Sequence, residues 1–237
     1  MHRTIMTQGV PESYLAAMIR DWEEALPECV KLAYLPRPGI VRLRLSVYGE
    51  CAEDAKNILQ VNIDKLLKII SEHVFGYDDV SLEESLGSLL REKGLHVATA
   101  ESCTGGNVAR LIASVPGASD YFSGSVVAYR NEMKTAALRV DPVILEKEGA
   151  VSRAVVEQMA AGIRALTGAE TAIAISGIAG PSGGTPEKPV GTVWIAVSHL
   201  QNIHAVRLNF GGNRERIIEQ ATHAALQLLR RLILGNL

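Results

Sequence analysis

One segment constrains the fold of this chain more than any other: a mostly apolar run, a polar turn and a helix-compatible stretch follow one another without interruption. The run covers residues 95–100, the turn at 101–106 reads Glu-Ser-Cys-Thr-Gly-Gly, and residues 107–113 have helical spacing. Strand, tight turn and helix in that order predict a layered α/β domain with helices packed on a central sheet. The turn then lies at the carboxyl edge of the sheet and at the start of a helix.

Such a turn has two interpretations. Unpaired backbone N–H groups and the positive end of the helix dipole meet there, so the turn could bind an anion or stabilise an oxyanion. Alternatively it is a structural loop, in which Ser102 or Thr104 caps the helix and the two glycines allow close packing. The turn alone leaves both open, although loops at this edge of α/β sheets commonly carry sites.

Composition excludes several classes of protein. The chain of 237 residues is 47% hydrophobic and 21% charged, which is typical of a globular protein with a real core. A net charge of −2 argues against a dedicated nucleic-acid-binding protein. Three cysteines at unrelated spacings form neither a disulfide framework nor a zinc pattern, so we expect a cytoplasmic protein without a metal. We also expect no signal peptide and no membrane span, because no apolar stretch is long enough.

Residues 1–78 are predicted to form a small α+β domain with the order helix, strand, strand, helix. Its elements are expected at residues 11–26, 31–35, 41–47 and 55–70, with a turn at 36–39 and a linker at 76–79. Arg42 and Arg44 alternate with apolar residues and face outward. They could contact phosphates, but charged residues are also common on a solvated strand face.

Residues 79–237 are predicted to form the layered α/β domain. Ser81 and Glu84 have the spacing of a capping box, and Ser152 and Asn213 are expected to cap later helices. The strands are expected at residues 95–100, 121–129, 171–176, 193–197 and 205–210. The helices are expected at residues 81–93, 105–114, 131–138, 141–147, 154–166 and 213–232.

Ser102 is the first candidate nucleophile. A serine hydroxyl needs a base, and a lysine whose pKa is lowered by burial or by neighbouring cations can serve as one. Lys134 follows a predicted strand end and could reach the same edge of the sheet, although an exposed helix lysine is the simpler interpretation. Cys103, beside the helix N-terminus, could be the nucleophile instead, or it could be a small buried residue.

Two further segments could hold a ligand. The glycine-rich loop at residues 176–185 offers many N–H groups for a phosphate or carboxylate, but it matches neither a P-loop nor a dinucleotide fingerprint. Arg214 stands in the first turn of a predicted helix, where a cation is unfavourable unless something such as a phosphate offsets it. Glu101 could orient Lys134 or hold a sugar hydroxyl, and Tyr129 could donate to the reacting centre or stack on a ring. Each of these residues also has a plain structural interpretation.

Six blocks of this sequence, in one order, resemble the C-terminal domain of the CinA family of competence/damage-inducible proteins. The blocks are residues 100–106, 116–122, 127–134, 149–152, 176–181 and 188–194. Residues 1–78, chiefly segments 9–13 and 34–41, resemble the KH-like segment that precedes this domain in the long CinA proteins. Those proteins begin with a further domain, related to molybdopterin-binding proteins and with a pyrophosphatase activity. Since the sequence lacks it, we expect that activity to be absent.

The resemblance implies a nicotinamide-nucleotide amidase of NAD salvage, which converts nicotinamide mononucleotide to nicotinate mononucleotide and ammonia. The family's proposed serine–lysine pair falls on Ser102 and Lys134, with Glu101 and Tyr129 as further candidate catalytic residues. No metal or other cofactor is implied, because the pyridinium already polarises the amide. The expected substrate-binding residues are Cys103, Thr104, Gly105, Gly106, Ser176, Gly177, Ile178, Ala179, Gly180, Gly183, Gly184 and Arg214.

One position departs from the family pattern, and two other functions stay open. Arg130 stands where the family has a small residue, and it could lower the pKa of Lys134, contact a phosphate or simply be exposed. The first alternative function is a catalytically silent nucleotide-binding or regulatory protein. The second is a competence factor that contacts nucleic acid through residues 1–78, against which the net charge argues. A homo-oligomer is expected, because the small domain is apolar and its strands are short.

Overall fold

Contacts between residues divide the chain into two units, Met1–Ser85 and Leu86–Leu237. The computed structural model describes residues 1–37, 39–49, 51–200 and 202–237. Both units contain a sheet and helices, so the predicted mixed α/β class with a small α+β unit first is confirmed. The contact division falls inside a helix, later than the predicted boundary between residues 78 and 79.

The first unit is a four-stranded antiparallel sheet with two helices. Its elements are β1 (His2–Gln8), α1 (Glu12–Glu24), β2 (Val30–Arg37), β3 (Ile40–Val47), α2 (Ala52–Ile70) and β4 (Val74–Tyr77), and the strand order is β2-β3-β1-β4. Along β3 the residues Val41, Leu43, Leu45 and Val47 are buried, as their alternation predicts. They pack with Leu15 and Ile19 of α1 and with Leu59, Ile63 and Leu66 of α2 in one core.

The predicted element order of this unit was wrong because it omitted β1 and β4. Five consecutive residues of β1 are buried, including the polar Thr4, Thr7 and Gln8, so the strand shows no alternation of apolar and polar residues. β4 has only four residues, and it includes Gly76 and Tyr77, which were assigned to a linker. In the predicted turn at 36–39, Pro36 and Arg37 belong to β2, while Pro38 lies outside the described residues.

The second unit is a five-stranded sheet with helices on both faces. Its elements, in chain order, are α3 (Leu82–Lys93), β5 (Val97–Glu101), α4 (Asn107–Ser114), β6 (Phe122–Val127), α5 (Asn131–Leu138), α6 (Pro142–Glu148), α7 (Arg153–Thr167), β7 (Thr171–Gly177), β8 (Thr192–His199), β9 (Asn202–Asn209) and α8 (Arg214–Ile233). The strand order is β6-β5-β7-β8-β9. Strands β6, β5 and β7 are parallel to one another, β8 is antiparallel to β7, and β9 is antiparallel to β8. Helix α3 begins in the first unit.

The strand order reverses at β5, because the next strand along the chain, β6, lies on one side of it and β7 lies on the other. Such a reversal opens a crevice at the carboxyl end of β5. Helix α4 leads to β6 on one side of β5, and α5, α6 and α7 lead to β7 on the other. Helices α4 and α8 pack together, whereas α5 and α6 pack on α7. Ligand sites of open α/β sheets lie at such a reversal of strand order.

Two of the three predicted helix caps at α3, α7 and α8 are present. Ser81 and Glu84 form the predicted capping box, since each side chain accepts a hydrogen bond from the other's backbone N–H. The predicted cap at Asn213 is also confirmed, because its Oδ1 accepts from the N–H of Arg216. Ser152 occupies the N-cap position of α7, but its hydroxyl donates to the carbonyl of Gly149 instead, so the predicted side-chain cap was wrong.

The approach between α5 and α7 is unusually close. Gly162 of α7 faces the carbonyl of Leu138, the last residue of α5, and a Cβ at this position would overlap that oxygen. Glycine is therefore required by space at this crossing. Elsewhere, none of the described helices is both long enough and apolar enough to cross a membrane.

Candidate active site

The carboxyl ends of the three parallel strands surround a cleft of about 280 Å³. Eleven predicted site residues line it: ten lie in β7 or in the segments that follow β5, β6 and β7, and Arg214 begins α8. They are Ser102, Cys103, Tyr129, Lys134, Ser176, Gly177, Ile178, Ala179, Gly180, Gly183 and Arg214. Sequence reasoning thus located most of the lining, although it drew these residues from four separate parts of the chain.

Ser102 and Lys134 meet inside the cleft wall. Lys134 Nζ lies 3.2 Å from Ser102 Oγ, and it also donates to the carbonyl of Ala128 at 2.8 Å and to that of Tyr129 at 3.4 Å. The side chain of Lys134 is almost fully buried, at 1% exposure. The long lysine stem crosses from α5 to the end of β5, which explains how residues 32 positions apart in sequence come together.

The electrostatic surroundings of Lys134 favour its neutral form. Burial lowers the pKa of the Lys134 ammonium, because a charge removed from water loses its hydration. The polar atoms bonded to Nζ are two carbonyl oxygens and one hydroxyl, all uncharged. A lysine with a lowered pKa carries the neutral, proton-accepting form at a lower pH than an exposed lysine does.

Cys103 has the opposite electrostatic character from a reactive thiol. Burial raises the pKa of the Cys103 thiol to about 12, and the nearby Glu101 carboxylate acts in the same direction. The thiolate is the nucleophilic form of cysteine, so a thiol that stays protonated is a poor nucleophile. Its sulfur packs against Gly177, where a Cβ would lie 3.0 Å away. The geometry favours the interpretation of Cys103 as a small buried residue.

Glu101 differs from both roles suggested for it. Its side chain is fully buried and does not line the cleft, so it meets no sugar hydroxyl there. It makes no hydrogen bond to Lys134 among the described residues; its carboxylate instead accepts from Thr104 Oγ1 and from the N–H groups of Gly106, Val108 and Ala109. The expected orienting of Lys134 was wrong because the side chain turns toward α4.

The turn after Glu101 also differs from the prediction. Thr104, Gly105 and Gly106 do not line the cleft. The N–H of Gly105 donates to the carbonyl of Ser102, and that of Gly106 donates to Glu101, so neither is free to hold an oxyanion. The N-cap of α4 is Gly106, and neither Ser102 nor Thr104 supplies a side-chain cap. In the described part of the chain, the N–H groups of Cys103 and Thr104 donate to no other residue.

The loop after β7 presents free N–H groups to the cleft. Within the described residues, the N–H groups of Ala179, Gly180, Ser182 and Gly183 donate to no protein acceptor. Gly180 has φ +79°, and a Cβ there would lie 2.6 Å from Val190, so only glycine fits. Gly184 was predicted as a further ligand residue, but it is outside the cleft lining. The backbone of this loop is suited to binding an anion.

Hydrogen bonds tie the connection between β7 and β8, residues 178–191, to the rest of the unit. Lys188 Nζ donates to the carbonyl of Glu148 at 2.7 Å, and Arg207 donates to that of Glu187 at 2.7 Å. At the cleft itself, Arg214 Nη1 donates to the carbonyl of Gly180 at 2.8 Å. The free N–H groups therefore belong to a loop that is tied to the domain at several points.

Arg214 and Tyr129 meet at the mouth of the cleft. Arg214 Nη2 donates to the Tyr129 hydroxyl at 2.6 Å, and the Tyr129 side chain is 55% exposed. Arg214 stands at the first position of α8, as the sequence predicts. Its guanidinium can therefore reach both the ligand loop and an aromatic ring across the cleft, a suitable place for a phosphate contact.

Arg130 lies outside the cleft lining, and four residues that do line the cleft were not predicted. Arg130 points into solvent and pairs with Glu132 at 3.6 Å, so its expected influence on Lys134 finds no contact. The missed residues were not singled out individually, although three of them lie in the blocks 127–134 and 149–152 and the fourth lies in the glycine-rich loop. They are Asn131, Ala150, Val151 and Ser182. For Ala150, the glycine turn that precedes it was an available signal. In the structure, Ser176 Oγ donates to the carbonyl of Ala150 at 2.7 Å.

Metal chemistry finds no obvious place in the described ranges. They contain no group of three or more His, Cys, Asp or Glu side chains that could hold an ion. The charged side chains that line the cleft are the amine of Lys134 and the guanidinium of Arg214, and both suit an anionic organic ligand better than a cation.

Fold and cleft together define a mixed α/β protein whose second unit carries a site of small-molecule size and follows a small α+β unit in the sequence. Comparison with known families agrees with this class. Residues 79–233 match the CinA C-terminal domain, and residues 2–76 match the damage-inducible protein CinA KH domain. The chain therefore belongs to the CinA family, as its motifs indicated.

Individual relatives support the same assignment. A CinA-like protein of Cytophaga hutchinsonii is 47% identical over 231 residues, which are 98% of this chain and 55% of that protein. One of Flavobacterium psychrophilum is 44% identical over 237 residues, 100% of this chain and 57% of that protein. The chain thus spans little more than half the length of these relatives.

Two solved structures match about two thirds of this chain. The crystal structure of a competence-damaged protein (CinA) superfamily protein from Klebsiella pneumoniae is 37% identical, with a TM-score of 0.63. The match covers 65% of this chain and 96% of that one. The competence/damage-inducible protein CihA from Agrobacterium tumefaciens gives 37% identity and a TM-score of 0.63 over 64% of this chain and 93% of its own. These names state a family and no reaction.

Proposed function

We propose that this protein hydrolyses the carboxamide of nicotinamide mononucleotide, with Ser102 as nucleophile and Lys134 as base, and releases nicotinate mononucleotide and ammonia. One observation carries the proposal: a lysine amine with 1% exposure lies 3.2 Å from a serine hydroxyl at the wall of a cleft. A buried amine beside a hydroxyl is one way to activate a serine without histidine.

The contacts of Lys134 suit the neutral amine. A neutral amine has two N–H donors and one lone pair. The carbonyls of Ala128 and Tyr129 can take the two donors, which leaves the lone pair for the Ser102 proton. Because burial lowers the pKa of Lys134, part of the enzyme carries this neutral form at lower pH than an ordinary lysine would allow.

The reaction proceeds in two halves. Ser102 Oγ attacks the carboxamide carbon while its proton moves to Lys134 Nζ, and the N–H groups of Cys103 and Thr104 are the proposed donors to the oxyanion. Lys134 then gives the proton to the departing nitrogen, and ammonia leaves. A water molecule attacks the acyl-enzyme in the second half, its proton passes to Lys134, and collapse of the intermediate returns Ser102 to its hydroxyl form.

The remainder of the cleft is proposed to hold the nucleotide. The free N–H groups of the loop after β7 and the guanidinium of Arg214 are donors for a 5′-phosphate. The cleft volume of about 280 Å³ is near the lower end of small-molecule sites, roughly 300–1,000 Å³. A mononucleotide is therefore a better candidate for this cleft than a dinucleotide.

The test is ammonia release from nicotinamide mononucleotide by the unaltered protein, Ser102→Ala and Cys103→Ala. Ser102→Ala is expected to lose activity on the order of 10³-fold or more, whereas Cys103→Ala keeps its backbone donor and stays far more active. Ser114→Ala, at the far end of α4, is the matched control and is expected to behave as the unaltered protein. Loss in the cysteine variant alone would reassign the nucleophile to the thiol. Binding without ammonia from the unaltered protein would favour a catalytically silent nucleotide-binding protein.

Three broader features are proposals as well. The domain division at 78/79 places the end of β4 in one domain and the capping box of α3 in the other. We also propose a cytoplasmic location, from the cysteine usage, and a homo-oligomer, from the apolar small unit whose edge strand β4 has only four residues. Because the chain spans about half of its relatives' length, the activity of the whole protein is also part of the proposal.

A further inference from the structure

We propose that Glu101 is a positioning residue for Ser102: its buried carboxylate is an internal anion around which the nucleophile turn is wrapped. The inference rests on the proposed function, since it takes Ser102 to be the nucleophile. It assigns to Glu101 the task of fixing where the Cys103 and Thr104 N–H groups point, although the carboxylate itself does not line the cleft.

Glu101 directly precedes the nucleophile, and its carboxylate accepts hydrogen bonds from residues that follow the nucleophile. Oε2 accepts from Thr104 Oγ1 at 2.7 Å and from the N–H groups of Gly106 and Val108 at 3.1 Å each. Oε1 accepts from the N–H of Ala109 at 2.8 Å. One carboxylate therefore holds the turn after Ser102 and the first residues of α4 as a single piece.

The charge of Glu101 finds its compensation in this turn and helix. Among the described ion pairs none involves Glu101, and the side chain is fully buried. A buried carboxylate without a cation is costly unless hydrogen bonds satisfy it, and the start of a helix supplies both N–H groups and a positive partial charge. Any movement of the turn would leave this carboxylate unsatisfied, so the turn is strongly held.

The same bonds decide which N–H groups remain for the reacting centre. Gly105 and Gly106 adopt φ values of +61° and +97°, which lets the chain fold back over the carboxylate. Ser102 N donates to the carbonyl of Ile175, and Gly105 N donates to that of Ser102. Only the N–H groups of Cys103 and Thr104 are left in the turn, directly after the nucleophile, where an oxyanion forms.

Glu101 also reaches the base through its backbone. Its carbonyl accepts from the N–H of Ala128 at 2.7 Å, and the carbonyl of Ala128 accepts from Lys134 Nζ at 2.8 Å. One residue is thus bonded through its side chain to the nucleophile turn and through its backbone to the strand end that holds the lysine. A side-chain substitution at position 101 affects only the first of these connections.

The experiment compares Glu101→Gln and Glu101→Asp with the unaltered protein. Gln keeps the size but replaces an acceptor oxygen by a donor group among N–H groups, and Asp is too short to reach the same donors. We expect kcat for ammonia release to fall about 100-fold in Glu101→Gln, which is the usual cost of a misplaced oxyanion donor, with KM changed little. Asp141→Ala, which removes a helix cap away from the cleft, is the control and is expected to lower the melting temperature without changing kcat.

A second readout does not depend on the substrate. The rate at which a serine-directed fluorophosphonate modifies Ser102, followed by mass spectrometry, is expected to fall in Glu101→Gln in parallel with kcat. If the unaltered protein is modified at Ser102 but releases no ammonia, the proposed substrate is wrong, and the ratio of modification rates still decides the role of Glu101. If Ser102 of the unaltered protein is modified no faster than an exposed serine, the inference is overturned.

Further outcomes separate positioning from plain stability. Unchanged kcat per folded molecule in Glu101→Gln would overturn the inference, and so would a raised KM with unchanged kcat, which would mean that Glu101 meets the substrate. If both Glu101 variants fail to fold, Thr104→Val removes a single donor to the carboxylate and is expected to lower kcat and the rate of modification without raising KM. No loss in that variant would count against the inference.

Discussion

Two glycine-rich segments border the cleft, and their backbones are used in opposite ways. The turn at residues 102–106 and the start of α4 direct three N–H groups at Glu101, whereas the loop at residues 177–184 leaves several N–H groups free. Both contain glycines with positive φ, and both follow a buried parallel strand. The difference is that the first segment is preceded by a carboxylate of its own chain.

The comparison shows that a glycine-rich turn at a helix start is not by itself an anion site. The turn after β5 has already bound an anion, and that anion is Glu101. The loop after β7 has no such residue among its described contacts, so it can accept an external anion. We therefore expect substitutions near the turn to change kcat and substitutions near the loop to change KM.

The largest effect on kcat in this comparison is expected for Lys134, whose amine contacts Ser102 of the turn. Lys134→Met keeps the apolar stem and removes the amine, so kcat is expected to fall roughly 10²- to 10⁴-fold with KM changed little. Lys147→Met, an exposed lysine on α6, is the matched control. Steady-state kinetics of both variants give the answer. A change in KM alone for Lys134→Met would mean that the amine binds substrate, and it would contradict the expected difference between the turn and the loop.

A smaller effect is expected for Arg214, on the loop side. Arg214→Met removes a charge-assisted contact to phosphate, so KM is expected to rise on the order of 10- to 100-fold while kcat changes little. Arg207→Met is a suitable control, because Arg207 also bonds this loop but does not line the cleft. The measurement is the full dependence of rate on substrate concentration. An equal rise in KM for both variants would assign the effect to loop anchoring.

The third test is the pH dependence of kcat/KM, for which the expected change per pH unit is smaller than the effect of either substitution. Lys134 must be neutral to accept the serine proton, so kcat/KM is expected to fall by about tenfold per pH unit below the pKa of Lys134. Burial lowers that pKa, so the midpoint lies below the ordinary lysine value of about 10.4. A profile from acid to alkaline pH locates the midpoint. A midpoint at or above the ordinary value, or the same limb in the residual activity of Lys134→Met, would contradict the role.

The sequence predicted the second unit better than the first, for physical reasons. Strand β7 is a continuous small apolar run because both of its faces are covered, and the capping box of α3 is a local signal that needs no tertiary contact. Strands β1 and β4 escaped detection because burial of polar residues in β1 and the shortness of β4 remove the usual alternation. Strand pairing between residues far apart decided these two elements.

The site was predictable only in part. Ser102 and the loop after β7 are visible because a polar or glycine-rich segment follows an apolar strand, whereas Lys134 was singled out mainly by resemblance to a family. The fold-back of Glu101 onto α4 has no short-range pattern, since the backbone N–H donors to its carboxylate lie five, seven and eight residues later. Asn131 and Val151 reach the cleft only through the crossing of separate elements.

The close crossing of α7 over the end of α5 has a practical consequence for anyone who searches for altered variants of this protein. Lys134 belongs to α5, and the end of α5 can approach α7 as it does only because position 162 carries no side chain. The placement of the helix that carries the amine thus depends on a residue outside the cleft lining. A mutant library restricted to the walls of the cleft would never sample position 162, and a sequence filter that ranks positions by distance from the ligand would discard it.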